Sequence, residues 1–284
     1  MQEITKNIHI EDQYPGVTLG VITTPRGLIQ IDAPPSPEDA RSWRATLMNL
    51  GGGMERVLIN LDAHPDRTLG ARAMDCTVIA HEKTAYTFRN RPGTFKAQGE
   101  ETGSDWESIA GLGSVRWAPP EISFGNEMTL HWSEMPVVLE HHAGPSAGSI
   151  WVNLPDEKVV FIGDAVLKNQ PPFLAGSNLK SWLTSLNILL ESFKGYTIIS
   201  SRGGIVTTSN IKNQYDFLKH VHDKLEKITT KKPNPATTEK LVTSLLTWFK
   251  APAARQKQYG QRLRYGLIHY NSRQHYAASH AHEN

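Results

Sequence analysis

The chain has 284 residues, of which 39% are apolar and 20% are charged, a balance typical of a globular protein that excludes disordered and fibrous classes. No apolar run approaches the roughly 20 residues that span a bilayer, and the first residues lack the basic start and apolar core of a secretory signal, so we expect a cytoplasmic protein without a membrane segment. Because Cys76 is the single cysteine, an internal disulfide and a thiolate cluster are both excluded, and any metal ligand would be His, Asp or Glu.

The net charge of +2 is distributed unevenly along the chain. From residue 229 onward nine Lys and Arg stand against two Glu, so this segment carries +7 and the preceding residues carry −5. The favoured interpretation is that the basic segment docks on its own acidic body or on a second subunit; in the second case the C-terminal helices would join the subunits of a homo-oligomer. Binding of an acidic partner such as nucleic acid is the less favoured alternative.

The first 60 residues predict alternating strands and helices. Two strands, 17–22 and 27–32, are expected to pair around a turn. A helix follows, with Ser36 as its N-cap and a run of three glycines after residue 50 as its end. Residues 57–60 begin with three apolar residues and predict a buried strand, which leads into a polar loop.

Residues 91–113 are rich in Gly and charge and poor in apolar periodicity, and we interpret them as a surface excursion. A helix is predicted at 180–193, and further helices are expected beyond residue 208. The later strands are predicted at 128–132, 136–140, 149–153, 159–162 and 197–200. This order of elements favours an α/β (α+β) protein with a two-layer sheet core flanked by helices.

Five segments of the sequence resemble the metallo-β-lactamase superfamily, in order, over about residues 15 to 206. Residues 57–70 (VLINLDAHPDRTLG) are similar to the family's strand and loop, roughly N-T-H-x-H-x-D-H-T-x-G. The resemblance implies a four-layer αββα sandwich over residues 1–206 and a helical C-terminal extension over 207–284 that packs on the domain or on a second subunit. The other four segments are 27–32, like the G-x-x-x-I-D strand; 144–149, like the G-H-T-P-G-S turn; 158–164, like the K-V-L-F-x-G-D strand; and 200–203, like the P-G-H-G loop.

The resemblance also implies a ligand set, and most of it is replaced here. Family members hold two divalent metals with His, His, Asp, His, His, Asp and His. A proline has no side-chain donor and a guanidinium stays protonated, so neither can ligate a cation. The second metal site, which the resemblance builds from Asp66, Arg67, Asp164 and Arg202, is therefore expected to be lost. The corresponding positions in this chain, in order, are Asp62, His64, Asp66, Arg67, Pro145, Asp164 and Arg202.

The leading hypothesis is a metal-free pocket that binds a small-molecule ligand, in a non-catalytic or regulatory paralogue with no cofactor. In it, Arg67 and Arg202 hold the retained aspartates where a metal stood. Three aspartates and two arginines leave −1, which a protonated His64 or one cation would offset. The pocket is expected to be lined by Asp62, His64, Asp66, Arg67, Asp164 and Arg202.

Two alternatives stay open, and with them the question of whether the protein is an enzyme. The first is a hydrolase of the ester, thioester or lactone class that retains one zinc, iron or manganese ion on Asp62, His64 and Asp164, with Asp66 as possible general base. The second is an interaction module in which the basic C-terminal helices engage acidic partners.

Several further residues admit a structural and a functional interpretation. We expect His81, at a strand-to-helix junction, to be a polar cap and not a metal ligand. Of His141 and His142, one is expected to pack and the other to be exposed, the alternative being that one replaces the ligand missing at Pro145. Residues 169–174 resemble the stretch that lines substrate clefts in the family, so Phe173 and Leu174 form either a cleft wall or a loop packed over the core.

Overall fold

The computed structural model describes residues 1–97, 102–228 and 235–281. The sheets it contains are built from short strands. In chain order the strands are β1 (Gln2–Thr5), β2 (Ile8–Glu11), β3 (Leu19–Thr23), β4 (Gly27–Ile31), β5 (Glu55–Ile59), β6 (Thr77–His81), β7 (Thr94–Phe95), β8 (Val115–Arg116), β9 (Ile122–Phe124), β10 (Glu127–Leu130), β11 (Val137–His141), β12 (Ile150–Leu154), β13 (Val159–Phe161), β14 (Thr197–Ser200) and β15 (Gly204–Val206).

Two mixed sheets contain most of these strands. The first has the order β1-β2-β3-β4-β5-β6-β9, in which the pairs β4–β5, β5–β6 and β6–β9 are parallel and the others are antiparallel. The second has the order β10-β11-β12-β13-β14-β15, in which only the β13 and β14 pair is parallel. β7 and β8 form a separate hairpin-like pair.

Helices cover both sheets on their outer faces. The first helix begins as predicted, because the Ser36 side chain accepts a hydrogen bond from the Asp39 N–H at 3.1 Å and Pro37 occupies the first turn. Short 3₁₀ turns lie at Ala71–Met74, Asp105–Ser108 and Gly163–Ala165. The helices are α1 (Pro37–Leu47), α2 (Pro65–Thr68), α3 (Glu82–Arg89), α4 (Leu179–Ser192), α5 (Thr208–Ile228), α6 (Pro235–Leu246) and α7 (Ala253–Ala281).

Side-chain alternation along the strands sets the layers. In β4, Ile29 lies in the core between the sheets, whereas its neighbour Leu28 packs on the other face with Trp43 of α1. In β13, Phe161 lies in the core between the sheets and Val160 packs outward in the core that contains α4. Both sheets are thus buried on both faces, and the predicted αββα sandwich is confirmed.

The helices that follow residue 207 pack on the second sheet. Phe217 of α5, Leu245 of α6 and Leu263 of α7 lie in one apolar core with Leu186 of α4. The division of the chain into domains at residue 207 stays a prediction. Among the described helices, none combines the length and apolar character that crossing a bilayer requires.

The interpretation of residues 91–113 as a surface excursion was wrong for residues 103–106, which are buried. Asp105 and Trp106 are buried, and the Phe95 ring packs edge-on against the Trp106 ring with centroids 4.9 Å apart. Apolar periodicity failed to detect this because the turn at Asp105–Ser108 is buried through polar contacts as well as apolar ones. The backbone N–H of Trp106 donates a hydrogen bond to Asp66 at 2.7 Å, and that of Asp105 donates one at 3.3 Å.

Candidate functional site

The candidate site lies where parallel strands of both sheets end. Asp32 follows β4 and Asp62 follows β5, two parallel neighbours in the first sheet. Asp164 follows β13 and Arg202 follows β14, the parallel pair of the second sheet. Because the carboxyl ends of parallel strands meet at one edge, polar residues from distant parts of the sequence converge there.

The short helix α2 brings further polar side chains to the same place. The Asp62 carboxylate accepts a hydrogen bond from the His64 N–H at 2.8 Å, and Nδ1 of His64 accepts one from the Asp66 N–H at 3.2 Å. His64 is therefore the N-cap of α2, with Pro65 at its first position. These local contacts fix the next residue, Arg67, so that its side chain points into the interior, where it is fully buried.

Arg67 lies among three carboxylates. Its Nη2 donates a short hydrogen bond to Oδ1 of Asp164, and its Nη1 donates to Oγ of Ser201 at 3.2 Å. Nη1 is also 3.7 Å from Oδ2 of Asp32, and Nε is 3.4 Å from Oδ1 of Asp62. Burial disfavours the charged guanidinium, but these carboxylates outweigh burial and hold the pKa of Arg67 above its usual range.

Arg202 is the second buried guanidinium and contacts four polar side chains at once. Its Nε donates to both oxygens of Asp164 at 3.1 and 3.2 Å, and its Nη1 donates to Oδ2 of Asp105 at 3.0 Å. Its Nη2 lies 2.8 Å from Oδ2 of Asp66 and 3.2 Å from Nδ1 of His64. Arg202 therefore links the two aspartates that the resemblance places in the second metal site.

We call the seven interlinked side chains the acid–arginine cluster. Burial raises the pKa of the Asp164 carboxyl, but Arg202 and Arg67 outweigh burial and hold that pKa below its usual range. For Asp66 burial is the stronger influence, so its pKa is raised in spite of Arg202. Burial likewise raises the pKa of Asp32 to about 7, against the charge of Arg67. The cluster consists of Asp32, Asp62, Asp66, Asp105, Asp164, Arg67 and Arg202.

His64 is a neutral acceptor at the edge of this cluster. Burial first and the positive charge of Arg202 second hold its pKa well below the usual value. Since Nδ1 accepts from two donors, we assign the ring proton to Nε2. Of the two ways left open to offset the residual charge, protonation of His64 is disfavoured by this low pKa, and further arginines contribute positive charge at the site.

Those arginines come from α7. Asp105 accepts a hydrogen bond from Nη1 of Arg255 at 2.5 Å and one from Nη2 of Arg262 at 3.3 Å, in addition to that from Arg202. Arg262 is 1% exposed and also donates to the carbonyl oxygen of Gly103 at 2.9 Å. The helix that carries most of the basic C-terminal segment therefore contacts the site within the same chain.

Sequence reasoning predicted six cluster or pocket residues and missed others. The structure brings together Asp62, His64, Asp66, Arg67, Asp164 and Arg202, as the preceding contacts describe. Asp32 had a signal, since it ends a strand that resembles one in the family. Arg255 and Arg262 are seven residues apart and so share a helix face, a second usable signal. Asp105 had none, because its segment lacks periodicity.

The residues at the site do not fit the dinuclear centre of the family. A metal ligand needs a lone pair directed at the ion. Here the oxygens of Asp66 and Asp164 and Nδ1 of His64 accept hydrogen bonds from guanidinium or backbone N–H groups, and Pro145 offers no donor atom. Within the described ranges, no three His, Cys, Asp or Glu side chains are grouped so as to hold a metal ion.

A cavity of about 570 Å³ opens beside the cluster. Asp62, His64 and Asp164 line it, and so does Pro145. The prediction that Asp66, Arg67 and Arg202 also line the pocket was wrong for this cavity, because these three side chains are buried in the cluster. Phe173 also lines the cavity, and its ring contacts the His64 ring with centroids 4.5 Å apart, while the neighbouring Leu174 is fully buried in the adjoining core. Both interpretations of residues 169–174 therefore hold, since Phe173 forms cavity wall and Leu174 is also a core residue.

The other histidines have structural contacts. Nδ1 of His81 accepts the Lys83 N–H at 3.1 Å and caps α3, which confirms the predicted cap. The prediction that one of His141 and His142 is exposed was wrong, because both are half-buried. The His141 ring stacks on His81 with centroids 3.8 Å apart, and the His142 ring stacks on Trp151 at 3.6 Å.

The fold and the cluster together define an αββα protein whose strand-end site is held by arginines. The sequence profile described as the metallo-beta-lactamase superfamily matches residues 63–198, a little under half of the chain. Residues 63–198 thus match the metallo-β-lactamase superfamily, and most of the metal ligands that the resemblance implies are replaced in this chain.

Solved structures of low sequence identity share the fold. A metallo-beta-lactamase from Pontibacter korlensis has 18% identity and a TM-score of 0.58, and the match covers 77% of this chain and 97% of that one. DIM-1 metallo-beta-lactamase has 16% identity and a TM-score of 0.59, and the match covers 78% of this chain and 96% of that one. A double mutant of the sec-alkyl sulfatase PisA1 has 14% identity and a TM-score of 0.60; the match covers 94% of this chain and 49% of the sulfatase. A comparison with curated protein sequences gives no match.

Proposed function

We propose that the chain is a metal-free ligand-binding member of its superfamily, a non-catalytic paralogue in which two guanidiniums take the place of the dinuclear centre. The observation that carries this proposal is the position of Arg202, whose donors reach Asp164, Asp66 and His64 together. In this account the positive charge that an ion would bring is part of the polypeptide, so the site needs no cofactor.

Buried ion pairs support a permanent arrangement. Arg67, Arg202 and Asp66 have side chains with no exposure, and Asp164 has 4%. Removing a buried charge's partner is costly, so neither guanidinium is free to swing away and admit a cation. A cation at this place would also meet two fixed positive charges.

Two polar groups remain available to a ligand. Asp62 and His64 both line the cavity. In the described part of the chain, Asp62 accepts its hydrogen bond through Oδ1 and not through Oδ2. The His64 ring likewise forms its hydrogen bonds through Nδ1 and not through Nε2. Oδ2 of Asp62 can therefore accept, and Nε2 of His64 can donate, one hydrogen bond each to a small molecule.

The alternative is a hydrolase with one retained metal on Asp62, His64 and Asp164. Oδ2 of Asp62 and Nε2 of His64 favour it, because both atoms are available. Against it, Asp164 already accepts from both arginines. A third candidate, the interaction module, is weakened by the contacts of the basic helix. Arg255 and Arg262 bind Asp105, and Arg264 pairs with Glu239.

Location and assembly belong to the same proposal. A cytoplasmic protein is supported by the single thiol, Cys76, which is half-buried and whose pKa burial raises to about 11, so that it is poorly reactive. A homodimer formed through α5 to α7 would be detected as twice the chain mass by light scattering.

Zinc titration calorimetry tests the proposal against the one-metal alternative. His64→Asn removes the imidazole but keeps a side chain that caps α2 well. His131→Asn, at an exposed position after β10, is the matched control. We expect wild type and both variants to give the same isotherm, with any weak binding due to other histidines. A site of one equivalent that only His64→Asn abolishes would overturn the proposal in favour of the one-metal hydrolase.

A further inference from the structure

We propose that the cavity takes an organic anion with an apolar, ring-bearing body, and that Lys96 and Arg91 bind its charged end. This inference rests on the proposed function and adds the chemical class of the ligand. Lys96 and Arg91 lie on the segment between α3 and the turn at Asp105–Ser108, and both line the cavity.

The first argument is that these two cations have donors to spare. Nη1 of Arg91 donates to the carbonyl oxygen of Ala63 at 2.8 Å, which is its one recorded hydrogen bond within the described residues. Its guanidinium is held in place over the Trp117 ring, 5.1 Å from the centroid. Lys96 is exposed and has no recorded partner among the residues that the structure describes. A guanidinium has five N–H donors and an ammonium three, so most remain for a ligand.

The second argument is the balance of charge around the cavity. Five aspartates belong to the acid–arginine cluster, and four arginines form ion pairs with them: Arg67, Arg202, Arg255 and Arg262. Arg91 is near enough to feel the charge of Asp62, which brings the arginines to five. Among the residues that the structure describes, no carboxylate then remains in this balance for Lys96, and burial makes some of the aspartates harder to ionise. The cavity therefore has a positive potential, which low-dielectric walls strengthen.

The third argument is that aromatic and aliphatic side chains form much of the cavity wall. Trp106, Phe173 and Trp182 line it, together with Leu174 and Phe95. A volume of about 570 Å³ is within the roughly 300–1,000 Å³ that is usual for small-molecule sites. Aromatic walls favour a flat apolar body over a sugar or a bare inorganic ion. At the inner end, the Nε2–H of His64 and the Asp62 carboxylate would bind a polar substituent of that body.

Three probes that differ only in charge test the ligand class. These are 2-naphthylacetate (anion), 2-(2-naphthyl)ethanol (neutral) and 2-(2-naphthyl)ethylamine (cation), each titrated by calorimetry at low salt. We expect the anion to bind at least about tenfold more tightly than the alcohol and the amine to bind most weakly. Lys96→Gln should weaken the anion about five- to tenfold and leave the alcohol unchanged. Lys212→Gln, an exposed lysine on α5 away from the cavity, should change neither.

The inference would be overturned if the alcohol or the amine bound as tightly as the anion, or if Lys96→Gln and Lys212→Gln had the same effect. Repeating the anion titration with added Zn²⁺ separates this result from the fate of the proposed function. Anion binding that is independent of Zn²⁺ and sensitive to Lys96→Gln supports both. Anion binding that requires Zn²⁺ and is lost in His64→Asn refutes the metal-free function while retaining the ligand class.

Discussion

The Nη2 atom of Arg202 lies 2.8 Å from Oδ2 of Asp66, and neither side chain is exposed. In the family that the sequence resembles, both positions correspond to metal ligands, and the one that Arg202 occupies is a histidine there. Here a guanidinium contacts the aspartate directly. Under the proposed function, the attraction that an ion would supply comes from a covalently attached charge, which cannot dissociate and cannot be deprotonated at ordinary pH.

Arg202→Ala should destabilise the fold strongly. The substitution leaves Asp66, Asp105 and Asp164 without their shared partner in a buried environment, and we expect the free energy of unfolding to fall by about 3–5 kcal/mol. Urea denaturation measures the change. Arg264→Ala is the control, because its ion pair with Glu239 lies at the surface and contributes little. Similar denaturation midpoints for both variants would contradict the structural role of Arg202.

Asp32 should make stability fall as the pH rises. Its folded-state pKa is raised to about 7 from 3.8, so between these values the folded chain binds more protons than the unfolded chain. Its contribution is fully present below about pH 4 and is lost as the pH rises through about 7. Asp32→Asn imitates the protonated carboxyl, and asparagine tolerates the left-handed φ of 59° at this position.

The measurement is the free energy of unfolding of wild type and Asp32→Asn between pH 4 and pH 7. The variant should gain on wild type as the pH increases, by at most about 1.4 kcal/mol per pH unit. Using the difference between the two proteins cancels the contributions of the other titrating groups. A difference that does not change with pH would show that Asp32 is ionised throughout.

His64 should stay neutral where ordinary histidines are charged. Burial and Arg202 hold its pKa well below the usual value, and its Nδ1 accepts hydrogen bonds. Nitrogen-15 NMR of the ring should therefore report the Nε2–H tautomer at a pH about one unit below the usual histidine pKa of about 6.5. By the same linkage, His64 should reduce stability as the pH falls below that value, since only the unfolded chain takes up the proton. An imidazolium signal for His64 at that pH would refute this prediction.

Gly16 should not tolerate a side chain. Its φ of 72° is left-handed, and a Cβ there would lie 2.7 Å from Cβ of Asp105 and 3.0 Å from Oδ2 of Asp66. Gly16→Ala is expected to cost about 1–2 kcal/mol for the backbone alone, with the displacement of Asp105 in addition. Gly113→Ala is the matched control, since a Cβ at Gly113 meets nothing within 4 Å. Equal thermal midpoints for the two variants would be evidence against the tight packing around Asp105.

The sequence predicted the sandwich because its signals are local and repeated. Strand alternation separates Leu28 from Ile29, and the capping signal at Ser36 fixes the start of α1. The apolar pattern of the sequence identifies the strands that precede the site residues. Because Asp62, His64, Asp164 and Arg202 follow those strands, their convergence could be expected from the fold.

What the sequence could not predict comes from contacts between distant segments. Arg262 reaches Asp105 across 157 positions, and neither residue belongs to a motif. Their interaction depends on where α7 packs, and amphipathic periodicity does not specify the surface that a helix covers. The neutral state of His64 was also out of reach, because it follows from burial and from Arg202, a residue 138 positions away.

Elemental analysis of the protein, purified without an affinity tag from metal-supplemented medium, tests the central claim most directly. A melting curve with and without chelator accompanies it. Because guanidiniums hold Asp66 and Asp164, we expect less than about 0.1 equivalent of zinc, iron or manganese and no effect of chelator. Close to one equivalent of any of these metals, with a melting temperature that chelator lowers, would contradict the account.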